Sequence, residues 1–164
     1  MSIPTEALAI FEDPLKFHYK QYWLQTQNEE QTVLFELFAF GTINDIPKQM
    51  VLSPLMLKKL QLLTMISLSQ CERELTYSKI MEVCAISSID KVERYMIELR
   101  NFFSVKLDPI RESARIESLN DARDVYGGEK PLLLDIRPLH TKAELIDKLT
   151  HWQHKLNKQI KQKP

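Results

Sequence analysis

Apolar residues recur every three to four positions up to Phe103 and every second position after it. That change of period restricts the fold more than any other feature of the chain. Ser53-Pro54 is a helix start: the Ser hydroxyl can accept free backbone amides, and Pro suits the first helical position. Leu57, Leu60, Leu63, Thr64 and Leu68 follow at helical spacing. A second, short helix is predicted from Thr76, carrying Ile80, Met81 and Cys84. Ser87-Ser88-Ile89-Asp90 caps a third, with Val92, Met96, Leu99 and Phe103 on one stripe. Val105 and Leu107 then alternate with Ser104, Lys106 and Asp108, and Ala114 and Ile116 with Arg115 and Glu117. Asp108 to Ser113 forms the loop between these runs. Three helices followed by a β-hairpin is a winged-helix arrangement.

The flanks read as helical. Glu6–Phe11 suits a short helix. Leu15–Thr26 is dense in aromatic residues and reads as core-facing. Glu29–Phe40 places Val33, Leu34, Leu37 and Phe38 on one face, with Gly41 as its stop, and Thr42 caps a short helix ending near Pro47. Beyond the hairpin, residues 120–124 read as a short polar helix or turn. Gly127-Gly128 interrupts the chain, and Leu132–Ile136 is an apolar patch between Pro131 and Pro138. Thr141 and Glu144 form a capping box opening a final helix with Leu145, Leu149, Trp152, Leu156 and Ile160 on one face. The expected fold is mainly α: N-terminal helices over 1–51, a winged helix over 52–125, a linker over 126–140 and an amphipathic helix over 141–164.

Composition narrows the function. The 164 residues carry 22 basic and 22 acidic side chains, so no overall field draws the chain to nucleic acid or to a membrane. No apolar run approaches the ~20 residues that span a bilayer. The first residues lack a basic leader pattern, and without one Cys71 and Cys84 are expected to be reduced. Three glycines in all exclude a Gly-rich phosphate loop. His151 and His154 share one helical face but have no Cys or carboxylate nearby in sequence to complete a metal set. There is no G-x-S-x-G elbow and no His-Glu-x-x-His helix, and Cys84 falls on an apolar face. The expectation is no catalytic residue, no cofactor and no metal.

Duplex binding needs a basic surface. Lys91, Arg94 and Arg100 of the third helix are offset by Asp90, Glu93 and Glu98. Lys106, Arg111 and Arg115 of the hairpin are offset by Asp108, Glu112 and Glu117. Protein contact is the better use of such a fold. The candidate contacts are the hairpin edge, with Val105, Leu107 and Ile116, and the final helix, with Leu145, Leu149, Trp152, Leu156 and Ile160. A helix packed on its own domain is the competing reading for the last five. A winged-helix nucleic-acid binder, using the third helix and the lysine-rich tail, is the alternative function.

Several segments, in order, resemble subunit seven of the COP-9 signalosome: Phe35-Glu-Leu-Phe-Ala-Phe-Gly-Thr-Ile-Asn-Asp45, Leu52-Ser53 with Lys59-Leu60, Leu63-Thr-Met-Ile-Ser-Leu68, Tyr77 with Ile80, Lys106-Leu107-Asp108 and Ala122-Arg123-Asp124-Val125. The resemblance covers roughly residues 33–125. Thr76 stands where that family usually has Pro, and Pro109 where it usually has Gln. The N-terminal helical part is also short. These departures point to a compact version such as the small subunit of a budding-yeast signalosome. The resemblance implies a PCI domain, helical repeats followed by a winged helix, joined to other PCI subunits through winged-helix edges and C-terminal helices. It also implies a scaffold role, in cytoplasm and nucleus, in a complex that removes a ubiquitin-like modifier from cullins, with catalysis in a different subunit. A PCI subunit of the proteasome lid or of a translation initiation factor shares the same physical pattern.

Overall fold

Asn28 and Ser53 set where the two main helices begin, and a computed structural model shows both in place; it describes residues 3–137 and 142–162. The Asn28 side chain accepts from the Gln31 amide at 3.2 Å and opens α3, Glu29–Phe40. Ser53 accepts from Met56 and opens α4, Pro54–Cys71. Before them lie α1, Thr5–Glu12, and α2, Lys20–Gln25. The aromatic stretch 15–26 is helical only from Lys20. Its first part, up to Tyr19, is irregular, with Leu15 in solvent and Phe17 packed edge-on against Phe102.

α3 is enclosed rather than one-sided. Every residue from Leu34 to Phe40 is buried, whereas Val33 is only partly covered. Phe11 stacks among Tyr19, Phe35 and Phe38, and Trp23 meets Phe40 and Tyr126 edge-on. Gly41 ends the helix, as expected, but in extended backbone (φ −87°), so its left-handed freedom is unused. The need for glycine is space: a Cβ there would lie 2.8 Å from the Leu37 carbonyl oxygen and 2.9 Å from Leu37 Cδ1. A single 3₁₀ turn, Ile43–Asp45, follows behind a Thr42–Asp45 capping box.

On α4 the expected stripe holds at Leu60, Leu63 and Thr64. Leu57 instead faces solvent and Lys59 is buried. Lys59 turns inward because its ammonium donates to the carbonyls of Asp13 (2.6 Å) and Lys16 (2.8 Å), 4.0 Å above the Phe17 ring. A strand not foreseen, β1 (Glu74–Thr76), precedes α5 (Tyr77–Val83). Three residues are too few to show alternation. α6 (Ile89–Glu98) is capped by Ser88 and buries Val92, Tyr95 and Met96. The hairpin strands are β2 (Phe103–Asp108) and β3 (Ser113–Leu119). All pairings are antiparallel, in the order β1-β3-β2, with a bulge at Ser104/Val105.

After β3 the chain is neither helix nor free linker. Residues 120–137 run back across the helices without forming a strand of their own. Ile136 is buried, Leu132 and Leu134 pack on the core, and the Leu134 amide donates to buried Glu36 at 2.6 Å. The expected bracket at Pro138 and the cap at Thr141 lie outside the described residues. The last element is α7, Lys142–Lys161, which buries no residue.

Candidate protein-interaction surface

Backbone geometry defines the first candidate surface. β3 is the middle strand, so Ile116 is not an edge residue: its side chain is buried in the core, which corrects its place among the expected contacts. Its amide donates to Arg73 O at 2.7 Å, on the β1 side. Alternation then turns Ser113 and Arg115 toward β2, where they face Asp108 and Lys106. Val105 and Leu107 therefore direct their amides and carbonyls outward. Their side chains are half-buried against the core, with Ser104 and Lys106 on the solvent face. The outer edge of β2 is thus unpaired among the described residues. Beside it, Arg115 lies between Lys106 and Glu74 across the sheet.

The second surface is α7. Leu149 is 61% exposed, Trp152 60%, Leu156 39% and Ile160 71%, with Leu145 partly covered. No residue of α7 is buried. α6 and the hairpin present mixed charge, as the sequence indicated. Glu93 accepts from the Tyr77 hydroxyl at 3.0 Å, and Glu98 pairs with Lys58 at 3.0 Å. His151 and His154 are exposed, and no group of three potential ligands to a metal occurs among the described residues. Among them, no helix is long and apolar enough to cross a membrane. Cys71 and Cys84 are unbridged, and burial pushes the Cys84 thiol up to about 12.

Sequence reading missed a fastening at residues 121–124. The Asp124 carboxylate accepts from the amides of Tyr19 (2.7 Å) and Lys20 (3.1 Å), capping α2. Arg123, its neighbour, is buried against the end of α3. It donates to Phe38 O (2.8 Å), Gly41 O (2.6 Å) and Ser67 Oγ (2.9 Å). His18 lies between Asp124 (3.3 Å) and Asp121 (3.0 Å). The polar run Asp121-Ala-Arg-Asp124 looks the same when solvated, and the resemblance running through Ala122–Val125 did not say what those side chains hold.

The hydrogen bond to Asp124, helped by Asp121 and opposed by partial burial, raises His18 to about 9. Its folded pKa lies above the unfolded value of about 6.5. The contribution to stability is therefore complete below pH 6.5 and is lost as pH rises through 9. Half-exposed His18 is screened, so the effect is modest. Thermal unfolding from pH 6.5 to 9 is expected to show a downward slope that His18→Gln flattens. An equal slope in the variant would remove this pairing as its cause.

No family model matches the chain. Among curated proteins, COP9 signalosome complex subunit 9 of Saccharomyces cerevisiae is 39% identical over 160 residues, which is 98% of this chain and 99% of that protein. The chain belongs to the COP9 signalosome complex subunit 9 family. The subunit 9 protein of Eremothecium gossypii is 30% identical over 97% of the chain, and that of Kluyveromyces lactis 28% over 90%. The ninth-subunit family thus replaces the seventh, in the direction that Thr76, Pro109 and the short N-terminal part indicated. In both the Saccharomyces and Eremothecium subunit 9 proteins, 99% of the length is matched, so the compact helical body and the helix α7 fall within the family's own extent.

Proposed function

We propose that this chain is a non-catalytic scaffold subunit of the COP9 signalosome. The helices α1 to α3 and the unit from α4 to β3 act as a PCI domain with its winged helix. It supports cullin deneddylation by a metalloprotease subunit elsewhere in the complex, in cytoplasm and nucleus. Family membership supports the complex. The observation that carries the scaffold role is α7, a 20-residue helix holding an apolar stripe in water with no residue buried. A stripe of this kind gains about 25 cal/mol for each Å² it removes from water, so covering it favours assembly. The outward amides of Val105 and Leu107 supply a second contact, by strand addition to β2.

The test is mass spectrometry of proteins recovered with the tagged full-length chain from its native cells. The expected result is a set of signalosome subunits including the metalloprotease. Proteasome-lid or initiation-complex subunits would move the assignment, and nucleic acid without them would overturn it. Two variants separate the surfaces. Deleting residue 142 onward is expected to lower recovery of subunits at least tenfold while thermal unfolding is unchanged. Leu107→Pro removes one outward donor and no bond to β3, and is expected to weaken association several-fold. Unchanged recovery for Leu107→Pro would remove the β2 edge from the account.

A further inference from the structure

We infer that the partner groove receiving α7 is rimmed on one side by carboxylates, a proposal that rests on the docking role just given to this helix. Leu145, Leu149, Trp152 and Leu156 follow spacings of four, three and four. In a heptad these are d, a, d and a positions, the seam of a helix that packs against other helices. Lys148 and Lys155 both fall at g, directly beside that seam. Beyond Asp147 every charged residue of the helix is a lysine: Lys148, Lys155, Lys158 and Lys161. Among the described residues, the ion pairs between lysine or arginine and carboxylate use Lys20, Lys58, Lys79 and Arg111, and neither Lys148 nor Lys155 is in one of them.

A second copy of α7 does not complement this rim. In a parallel pair the g lysines face e positions, which hold Ile146, Gln153 and Ile160 and no acid. In an antiparallel pair g faces g, setting lysine against lysine, which is repulsive. The groove that fits is therefore another chain's: apolar along its floor, with Asp or Glu at two places one heptad apart. Lipid headgroups also attract lysines, but the d, a, d and a spacing of Leu145, Leu149, Trp152 and Leu156 matches helix packing.

The experiment uses the tagged full-length chain in its native cells, with carbodiimide cross-linking, which joins lysine to a carboxylate in direct contact. The expected products link Lys148 or Lys155 to Asp or Glu of a signalosome subunit. The double variant Lys148→Glu/Lys155→Glu should lower recovery of those subunits at least tenfold, and raised salt should lower wild-type recovery. Leu149→Ala/Trp152→Ala tests the seam itself. If the seam variant loses the subunits while the charge reversal keeps them within twofold, the carboxylate rim is wrong and docking stands. If both keep them, docking through α7 is wrong as well. Co-sedimentation of purified wild-type chain with phosphatidylserine vesicles, abolished by the charge reversal, would overturn the proposal in favour of a lipid surface.

Discussion

Replacing Arg123 with Met is expected to lower the unfolding free energy by about 4 kcal/mol, a large part of the 5–15 kcal/mol typical of a domain. The guanidinium is buried and meets no carboxylate within ion-pair distance among the described residues. Two backbone carbonyls and one hydroxyl accept from it, and its Nε has no partner among the described residues. Burial lowers its pKa to about 10, so it stays charged at neutral pH. Buried ion pairs can often be exchanged for apolar residues without loss, because both partners leave together. Here the acceptors at Phe38 and Gly41 belong to the backbone and stay behind. They are the free carbonyls at the end of α3, where a cation is favoured. Met fills most of the volume, so the loss reports the hydrogen bonds more than a cavity. Urea unfolding checks it: with a slope of about 2 kcal/mol/M, the midpoint should fall by roughly 2 M. A shift under half of that would mean the carbonyls find water. Arg123→Lys keeps the charge but offers one nitrogen to three separated acceptors, and should fall between the two.

Trp23→Ala is the other severe change, at about 4 kcal/mol. The ring is fully buried, its centre 5.0 Å from Phe40 and 6.0 Å from Tyr126, with the Lys130 ammonium 4.8 Å above it. Its indole N–H donates to Glu36 Oε2 at 3.2 Å. Truncation therefore opens a cavity and also takes a donor from a buried carboxylate. For a domain of this size the melting temperature should drop by roughly 8–16 °C. Trp23→Phe separates the two effects: it keeps most of the packing, loses the N–H, and should cost about 1–2 kcal/mol. A Phe variant as unstable as the Ala variant would show that the bond to Glu36 dominates.

Local signals were legible wherever one residue acts on its own helix. Ser53, Thr76 and Ser88 each accept from the amide three positions on, and caps of this kind can be read from short strings. The hairpin was equally plain, because a period of two over six residues separates inner from outer faces. What escaped needed a partner far along the chain. β1 exists because Glu74 to Thr76 meets Ser113 to Arg115. Lys59 is buried because two carbonyls of the α1–α2 connection end on it. Residues 121–136 pack because Tyr19, Phe38 and Glu36 wait for them. In the candidate surface, the stripe on α7 was visible from its spacing, and so was the alternation of β2. That Ile116 lies inside rather than at an edge depends on β1, the strand too short to announce itself.

The contacts of Arg123 and Asp124 also bear on the order of events during synthesis. Asp124 caps α2 across 105 residues, and Arg123 reaches Phe38 across 85. Until that part of the chain leaves the ribosome, α2 starts without its carboxylate and α3 ends without its cation. At about 5–20 residues per second the wait is roughly 5–20 s. Through that interval the aromatic faces around Phe11 and Trp23 are only partly closed, so a nascent chain of this protein has its greatest need of a chaperone before residue 124 emerges.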